Sequence, residues 1–144
     1  MIIVDTGFWL GLLKKRDAHH RVCRSFLAKC REPLASTFPV LTEATHLLTQ
    51  MRGTHAMLEL LDLLAKLRTA SSFTCFTLND SHLPRITQLM RQYADLPMDL
   101  ADASLVVLAE HLGHGRIVST DRRDFQSYRW KNRHPFTNLL EPLP

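Results

Sequence analysis

Four acidic residues stand where a folded α/β chain would gather them: Asp5, Glu43, Asp102 and Asp121. Asp5 ends the apolar run Ile2-Ile3-Val4, which reads as a short buried strand delivering a carboxylate to its carboxyl end. Asp121 directly follows a second such run, Arg116 to Ser119, while Glu43 and Asp102 fall in the first turns of predicted helices. Two unit charges about 4 Å apart oppose each other by about 4 kcal/mol at an effective dielectric near 20. A fold that collects four carboxylates must offset this with protonation or with a cation. Oxygen-only ligands favour a hard cation such as Mg²⁺ or Mn²⁺, which activates water for attack on a phosphate ester.

Each acid also has a plainer reading. Asp5 can cap the helix that follows it, and Glu43 can be an ordinary helix-surface glutamate beside the apolar Leu41, Ala44 and Leu47. Asp99 and Asp102 are three residues apart at a helix start, so Asp99 reads as the cap and Asp102, flanked by Ala101 and Ala103, as the functional acid. In Ser119-Thr120-Asp121-Arg122-Arg123-Asp124-Phe125, Asp121 is the fourth acid and Asp124 its alternate, a surface partner for Arg122 or Arg123. The eight histidines form no site: no H-x-x-x-H pair occurs.

The elements that must position these groups alternate. Strands are expected at Ile2 to Asp5, Leu34 to Ser36, Phe73 to Leu78 and Arg116 to Ser119, with a last one near Phe136 to Leu139 in a tail irregular from Tyr128. Helices are expected over Phe8 to Lys14, from Asp17 to Cys30, from Ser36 or Thr37 to Gly53, over His55 to Arg68, from Asp80 or Ser81 to Met90, and from Asp99 to Gly113. Such alternation argues for a parallel sheet covered on both faces. In that arrangement strand carboxyl ends and helix amino ends share the edge where open α/β sheets bind ligands.

With 144 residues, 45% of them hydrophobic, the chain is expected to form one domain over 1–144, with no linker, repeat or low-complexity tract. The apolar start lacks a basic leader and no run approaches a membrane span, so a soluble cytoplasmic protein is expected. Three cysteines without a C-x-x-C pair read as reduced thiols, and their spacing argues against zinc. The net charge of +4 and pI near 9.3, beside a local acidic site, suit a polyanionic substrate. Lys14-Lys15-Arg16, Arg122-Arg123, and Arg129, Lys131 and Arg133 around Trp130 are the candidates to hold it.

Taken in order, Val4-Asp5-Thr6-Gly7-Phe8-Trp9, Leu41-Thr42-Glu43-Ala44, Asp99-Leu100-Ala101-Asp102-Ala103 and Ser119 to Phe125 resemble the motifs of a PIN-domain ribonuclease of the VapC toxin type. The likeness runs from Ile2 to about Leu139. It implies a three-layer α/β/α sandwich with a central parallel sheet, and Mg²⁺- or Mn²⁺-dependent RNA cleavage leaving 5′-phosphate and 3′-hydroxyl ends. Carried over by motif, Asp5 and Asp102 hold the metal most directly, Glu43 and Asp121 complete the cluster, and Thr6 and Thr120 orient it. The resemblance also implies a homodimer and a small antitoxin. A groove for the antitoxin is read along Met57 to Leu67 with Leu47, Leu48 and Met51.

Other classes fit less well. A haloacid-dehalogenase-type phosphatase needs an acid where Gly7 stands, and a receiver domain needs a second acid beside Asp5 and a late lysine. A catalytically silent PIN-like module that binds RNA or protein is the alternative.

Overall fold

The computed structural model describes residues 1–143. Five parallel strands form the central sheet: β1 (Ile2–Val4), β2 (Leu34–Thr37), β3 (Phe73–Phe76), β4 (Arg116–Val118) and β7 (Thr137–Asn138), in the spatial order β3-β2-β1-β4-β7. From β1 the chain steps outward through β2 to β3, then returns to place β4 on the other side of β1. The strand order therefore reverses between β1 and β4, and open α/β sheets form their crevice at such a switch point. The loops leaving β1 and β4 carry Asp5 and Asp121.

The helices are α1 (Thr6–Leu13), α2 (His20–Lys29), α3 (Phe38–Arg52), α4 (Thr54–Thr69), α5 (Leu83–Gln92), α6 (Leu100–Leu112) and α7 (Arg122–Ser127). α1 packs against α2, α3 and α4, whereas α6 lies on β1 and β2 and supports α5. The sheet is thus the middle layer of an α/β/α sandwich. Its core is continuous: Ile3, Val4, Phe8, Trp9, Leu48, Leu60, Leu105, Leu108 and Ile117 are essentially solvent-free. Phe8 and Phe73 meet the Trp9 ring edge-on at 5.6 and 5.8 Å, a geometry that adds to simple apolar burial.

Several local outcomes depart from the sequence expectation. α2 begins at His20, because Asp17 spends its carboxylate accepting from the His19 amide at 2.8 Å and makes a turn. α3 begins at Phe38, capped by Thr37, so Glu43 lies in the second turn rather than the first. The third strand stops at Phe76, and Asn79 caps a 3₁₀ turn, Asp80–His82, that leads into α5.

From Arg129 to Asn138 the tail forms short strands rather than irregular chain. After the unexpected α7, β5 (Arg129–Trp130) and β6 (His134–Pro135) form an antiparallel hairpin. Its turn holds Lys131 and Asn132 at φ 48° and 60°, a conformation disfavoured for residues with a Cβ. Two partners hold it in place: the Lys131 amide donates to Glu110 at 3.0 Å, and Arg85 donates to Asn132 at 2.9 Å.

The leucine-rich α4 serves two purposes. Leu60 and Leu64 are core residues, while Leu58 and Leu61 point outward with Met51; Leu48, expected in the same groove, is fully buried in the core. All three cysteines are free, and burial pushes the Cys23 thiol up to about 12. Among the described residues no helix is long and apolar enough to cross a membrane.

Gly7 is fixed by a close approach. A Cβ built there would lie 1.9 Å from Thr120 Oγ1, so only hydrogen lets the β4–α7 loop close on α1. Gly7→Ala is expected to push this loop away from Asp5 and destabilise the fold by about 1–3 kcal/mol. Urea unfolding of the two proteins measures it, and an unchanged midpoint would show that the loop does not need this contact.

Candidate active site

Asp5 leaves β1 and caps α1. Its Oδ1 accepts from the Thr6 amide at 2.6 Å, and its Oδ2 accepts from Ser119 Oγ at 2.7 Å. The side chain is almost entirely buried. Ser119 is itself fully enclosed, and Asn138 of β7 grips it on both sides. The Ser119 amide donates to Asn138 Oδ1 at 3.2 Å, and Asn138 Nδ2 donates to the Ser119 carbonyl at 2.8 Å. A chain of hydrogen bonds thus runs from the edge strand through Ser119 to the first acid.

The other acids are held by equally local devices. Thr6 Oγ1 donates to Glu43 Oε2 at 2.6 Å, tying α1 to α3. Asp99 caps α6 by accepting from the Asp102 amide at 2.8 Å, which sets Asp102 at the third helical position. Asp102 Oδ2 accepts from the Tyr128 hydroxyl at 2.9 Å. Asp121 caps α7 through the Asp124 amide at 3.1 Å, and its own amide donates to Ser119 Oγ at 2.9 Å. Each carboxylate keeps lone pairs free, since an ionised carboxyl has about four acceptor sites.

The proton affinities of Asp5, Glu43, Asp102 and Asp124 record desolvation, whereas Asp99 and Asp121 are exposed to solvent. Burial, with the Glu43 and Asp121 charges behind it, raises Asp5 from 3.8 to about 6 against the lowering pull of Ser119 and Thr6. Burial and the Asp99, Asp5 and Glu43 charges raise Asp102 to about 7. Glu43 is raised by burial and then by Asp99. Asp124 is raised by burial and then by Asp121. Asp5, Glu43 and Asp102 therefore feel one another's charge, with Asp99 acting on Glu43 and Asp102, and Asp121 acting on Asp5 and Asp124.

The PIN-domain family profile matches residues 2–131. This chain belongs to the PIN-domain family. The solved structure of VapC20 from Mycobacterium tuberculosis, a sarcin–ricin loop cleaving toxin, matches it with a TM-score of 0.75. The two share 19% identity over 85% of this chain and 92% of that one, a likeness of fold. No curated protein sequence matches the chain.

The structure of this PIN domain sorts the residues read from sequence. It brings Asp5 within reach of the charges of Glu43, Asp102 and Asp121, and Glu43 within reach of Asp102, with Asp99 and Asp124 serving as a cap and as the residue whose amide is capped. Thr6 bonds Glu43, and Thr120 faces Gly7. Arg123 is largely exposed beside Asp124 at 3.7 Å, while Arg122 donates to the Leu140 carbonyl. Lys14 and Lys15 follow the end of α1, about 12 Å along the helix from its capped start. Lys14 pairs there with Asp17 at 3.8 Å, so these two lysines do not join the acids.

Two site residues escaped sequence reading. Ser119 sat inside a quoted motif, one residue past the strand, and a small hydroxyl next to a strand-end acid was the available signal. Tyr128 offered none, because its hydroxyl reaches Asp102 only after α7 has turned the chain back.

The donor set of the PIN domain suits a hard divalent cation. It is oxygen-only, and no Lys, Arg or His lies within salt-bridge distance of Asp5, Glu43, Asp99, Asp102 or Asp121 among the described residues. The side chains are turned to their hydrogen-bond donors, and no three metal-ligating groups among the described residues are arranged to hold an ion as they stand. The fit is therefore one of donor chemistry.

Desolvation has a measurable consequence. Folded Asp5 and Asp102 stay protonated to about 6 and about 7, whereas their unfolded reference is 3.8. Between these values the folded form binds more protons than the unfolded one, so stability falls as pH rises. Ionising Asp5 in place costs about 3 kcal/mol relative to an exposed aspartate. In a chelator, thermal unfolding is expected to show lower stability at about pH 7.5 than at about pH 5. Asp5→Asn should flatten this slope and stabilise the fold at the higher pH by about 1–3 kcal/mol. A wild-type curve rising with pH in this window would contradict the charge assignment.

Proposed function

We propose that this PIN domain is an endoribonuclease that hydrolyses RNA with the help of Mg²⁺ or Mn²⁺, and that it is the toxin of a toxin–antitoxin pair acting in the cytoplasm. The observation that carries the reading is the placing of Asp5, Glu43, Asp102 and Asp121 at the sheet switch point with, among the described residues, no cationic side chain within salt-bridge distance of them. The resemblance of the fold to VapC20, a sarcin–ricin loop cleaving toxin, supports RNA as the substrate.

Asp5 and Asp102 would hold the cation, with Glu43 and Asp121 completing the negative site. When bound, the cation supplies an activated water and neutralises charge on the scissile phosphate. The protein's own groups do the rest. Ser119, Thr6 and Tyr128 each donate to one carboxylate oxygen, fixing its direction and leaving its remaining lone pairs for the ligand. Asp5 and Asp102 must shed protons to receive a cation, and their raised values place that release near neutral pH. Arg123 stands exposed beside the acids, where it can meet the RNA backbone. No serine, cysteine or histidine is needed as nucleophile.

The toxin reading includes a small antitoxin and a homodimer. The outward strip of Met51, Leu58 and Leu61 supports a helical protein partner, since an amphipathic helix docks on such a surface.

Asp5→Asn and Asp102→Asn are each expected to lower Mg²⁺-dependent RNA cleavage by about 10³-fold with the fold intact, and to leave no 5′-phosphate products. Mn²⁺ affinity measured by calorimetry should weaken as pH falls from about 8 to 5, by up to about tenfold per pH unit for each proton released. Full cleavage by either variant would sink the nuclease reading. Metal binding by neither wild type nor variant would favour the silent binding module.

A further inference from the structure

Phe38 is the most exposed large apolar side chain among the described residues, at 64%, followed by Leu83 at 58%; Leu100 is 48% exposed. Each is the first residue of its helix, α3, α5 and α6 respectively. Thr37 and Pro39 already provide the cap and the stiff first turn that start α3, so helix initiation does not require an aromatic ring at Phe38.

The three residues line an apolar cleft that runs into the acid site. One part, about 540 Å³, is lined by the apolar Phe38, Pro39 and Leu100 together with the polar Glu43, His46 and Asp99. The other part, about 460 Å³, continues past Phe38 and Leu100 to Leu83, Asn79 and Asp80. Both lie within the range of about 300–1,000 Å³ typical of small-ligand sites.

We propose that this cleft is a stacking subsite for an unpaired RNA base next to the scissile phosphate, with the Phe38 ring as its platform. The proposal rests on the ribonuclease reading above and adds to it where the substrate's bases go. Charge selects the occupant. Among the described residues no lysine or arginine lines either part of the cleft, and Glu43, Asp80 and Asp99 rim it, so a phosphate backbone is repelled. A base is uncharged, offers a flat apolar face to Phe38, Pro39 and Leu100, and has polar edges that Asn79, His46 and Asp99 can meet. Continuity selects it too. Glu43 and Asp99 belong to both the acid cluster and the cleft, so a nucleotide joined to a phosphate at the carboxylates arrives directly beside the ring. A subsite of this kind prefers single-stranded or looped RNA, because a paired base cannot leave its stack without cost.

The test measures Kd for a short single-stranded RNA in Ca²⁺, with wild type, Phe38→Ala and Phe38→Trp, alongside sedimentation of each protein. Base–aromatic stacking is worth about 5- to 100-fold in affinity. Phe38→Ala is expected to weaken binding by that factor and Phe38→Trp to retain it. An RNA with one abasic position at the subsite should bind wild type and Phe38→Ala equally. Equal affinities of all three proteins for the intact RNA would overturn the proposal. So would loss of a dimer in Phe38→Ala with RNA affinity unchanged, which would make the patch a contact between two copies of this chain. Both results leave the ribonuclease reading standing, because wild-type cleavage in Mg²⁺ and its loss in Asp5→Asn test that separately.

Discussion

Desolvation of like charges at the switch point between β1 and β4 is the constraint around which this PIN domain is organised. Asp5 is buried and Asp102 partly so; Glu43 adds its charge to both, and Asp121 to Asp5. No arrangement of the apolar core relieves that repulsion. It can be moderated by protons, by hydrogen-bond donors or by a cation, and the fold shows the donors in place. Burial raises the two aspartates toward neutrality, while Ser119, Thr6 and Tyr128 pull in the other direction by stabilising the ionised forms. The two aspartates are thereby held where they take up and release protons near neutral pH.

The scaffold reaches this geometry with ordinary means. Asp5, Asp99 and Asp121 are all helix caps, so the same carboxylates that satisfy orphan backbone amides also set the position of the cluster. Capping favours helices that begin at the strand carboxyl edge, and their positive ends offset part of the negative charge gathered there. Stability and site geometry are therefore coupled. β7, two residues long and last in the sheet, contributes through Asn138 and Ser119 to the orientation of Asp5, far from it in sequence.

The alternation of strands and helices was readable because each apolar run has a clear period and clear punctuation. The Asp99 cap and Pro39 in the first turn of α3 followed from local chemistry, and the structure shows both. The reading missed where local signals compete. Asp17 looked like a helix start but closes a turn. The segment Arg122–Ser127 is too short and too polar to show helical periodicity, and it forms α7 because Asp121 caps it and Phe125 anchors it in the core. The Lys131–Asn132 turn has no glycine to announce it and depends on Glu110 and Arg85, which lie on helices distant in sequence.

Sequence alone determined the set of acids, the parallel α/β architecture and the edge on which those acids gather, because a strand's direction and a helix's start fix which end of the sheet a residue faces. Tertiary structure decided how the acids behave. Their burial, their hydrogen-bond donors and their proton affinities depend on Ser119, Asn138 and Tyr128 arriving from other parts of the chain. It also decided that Phe38 stands in solvent beside them. Both outcomes turn on packing between segments far apart in sequence, and local periodicity carries no information about that.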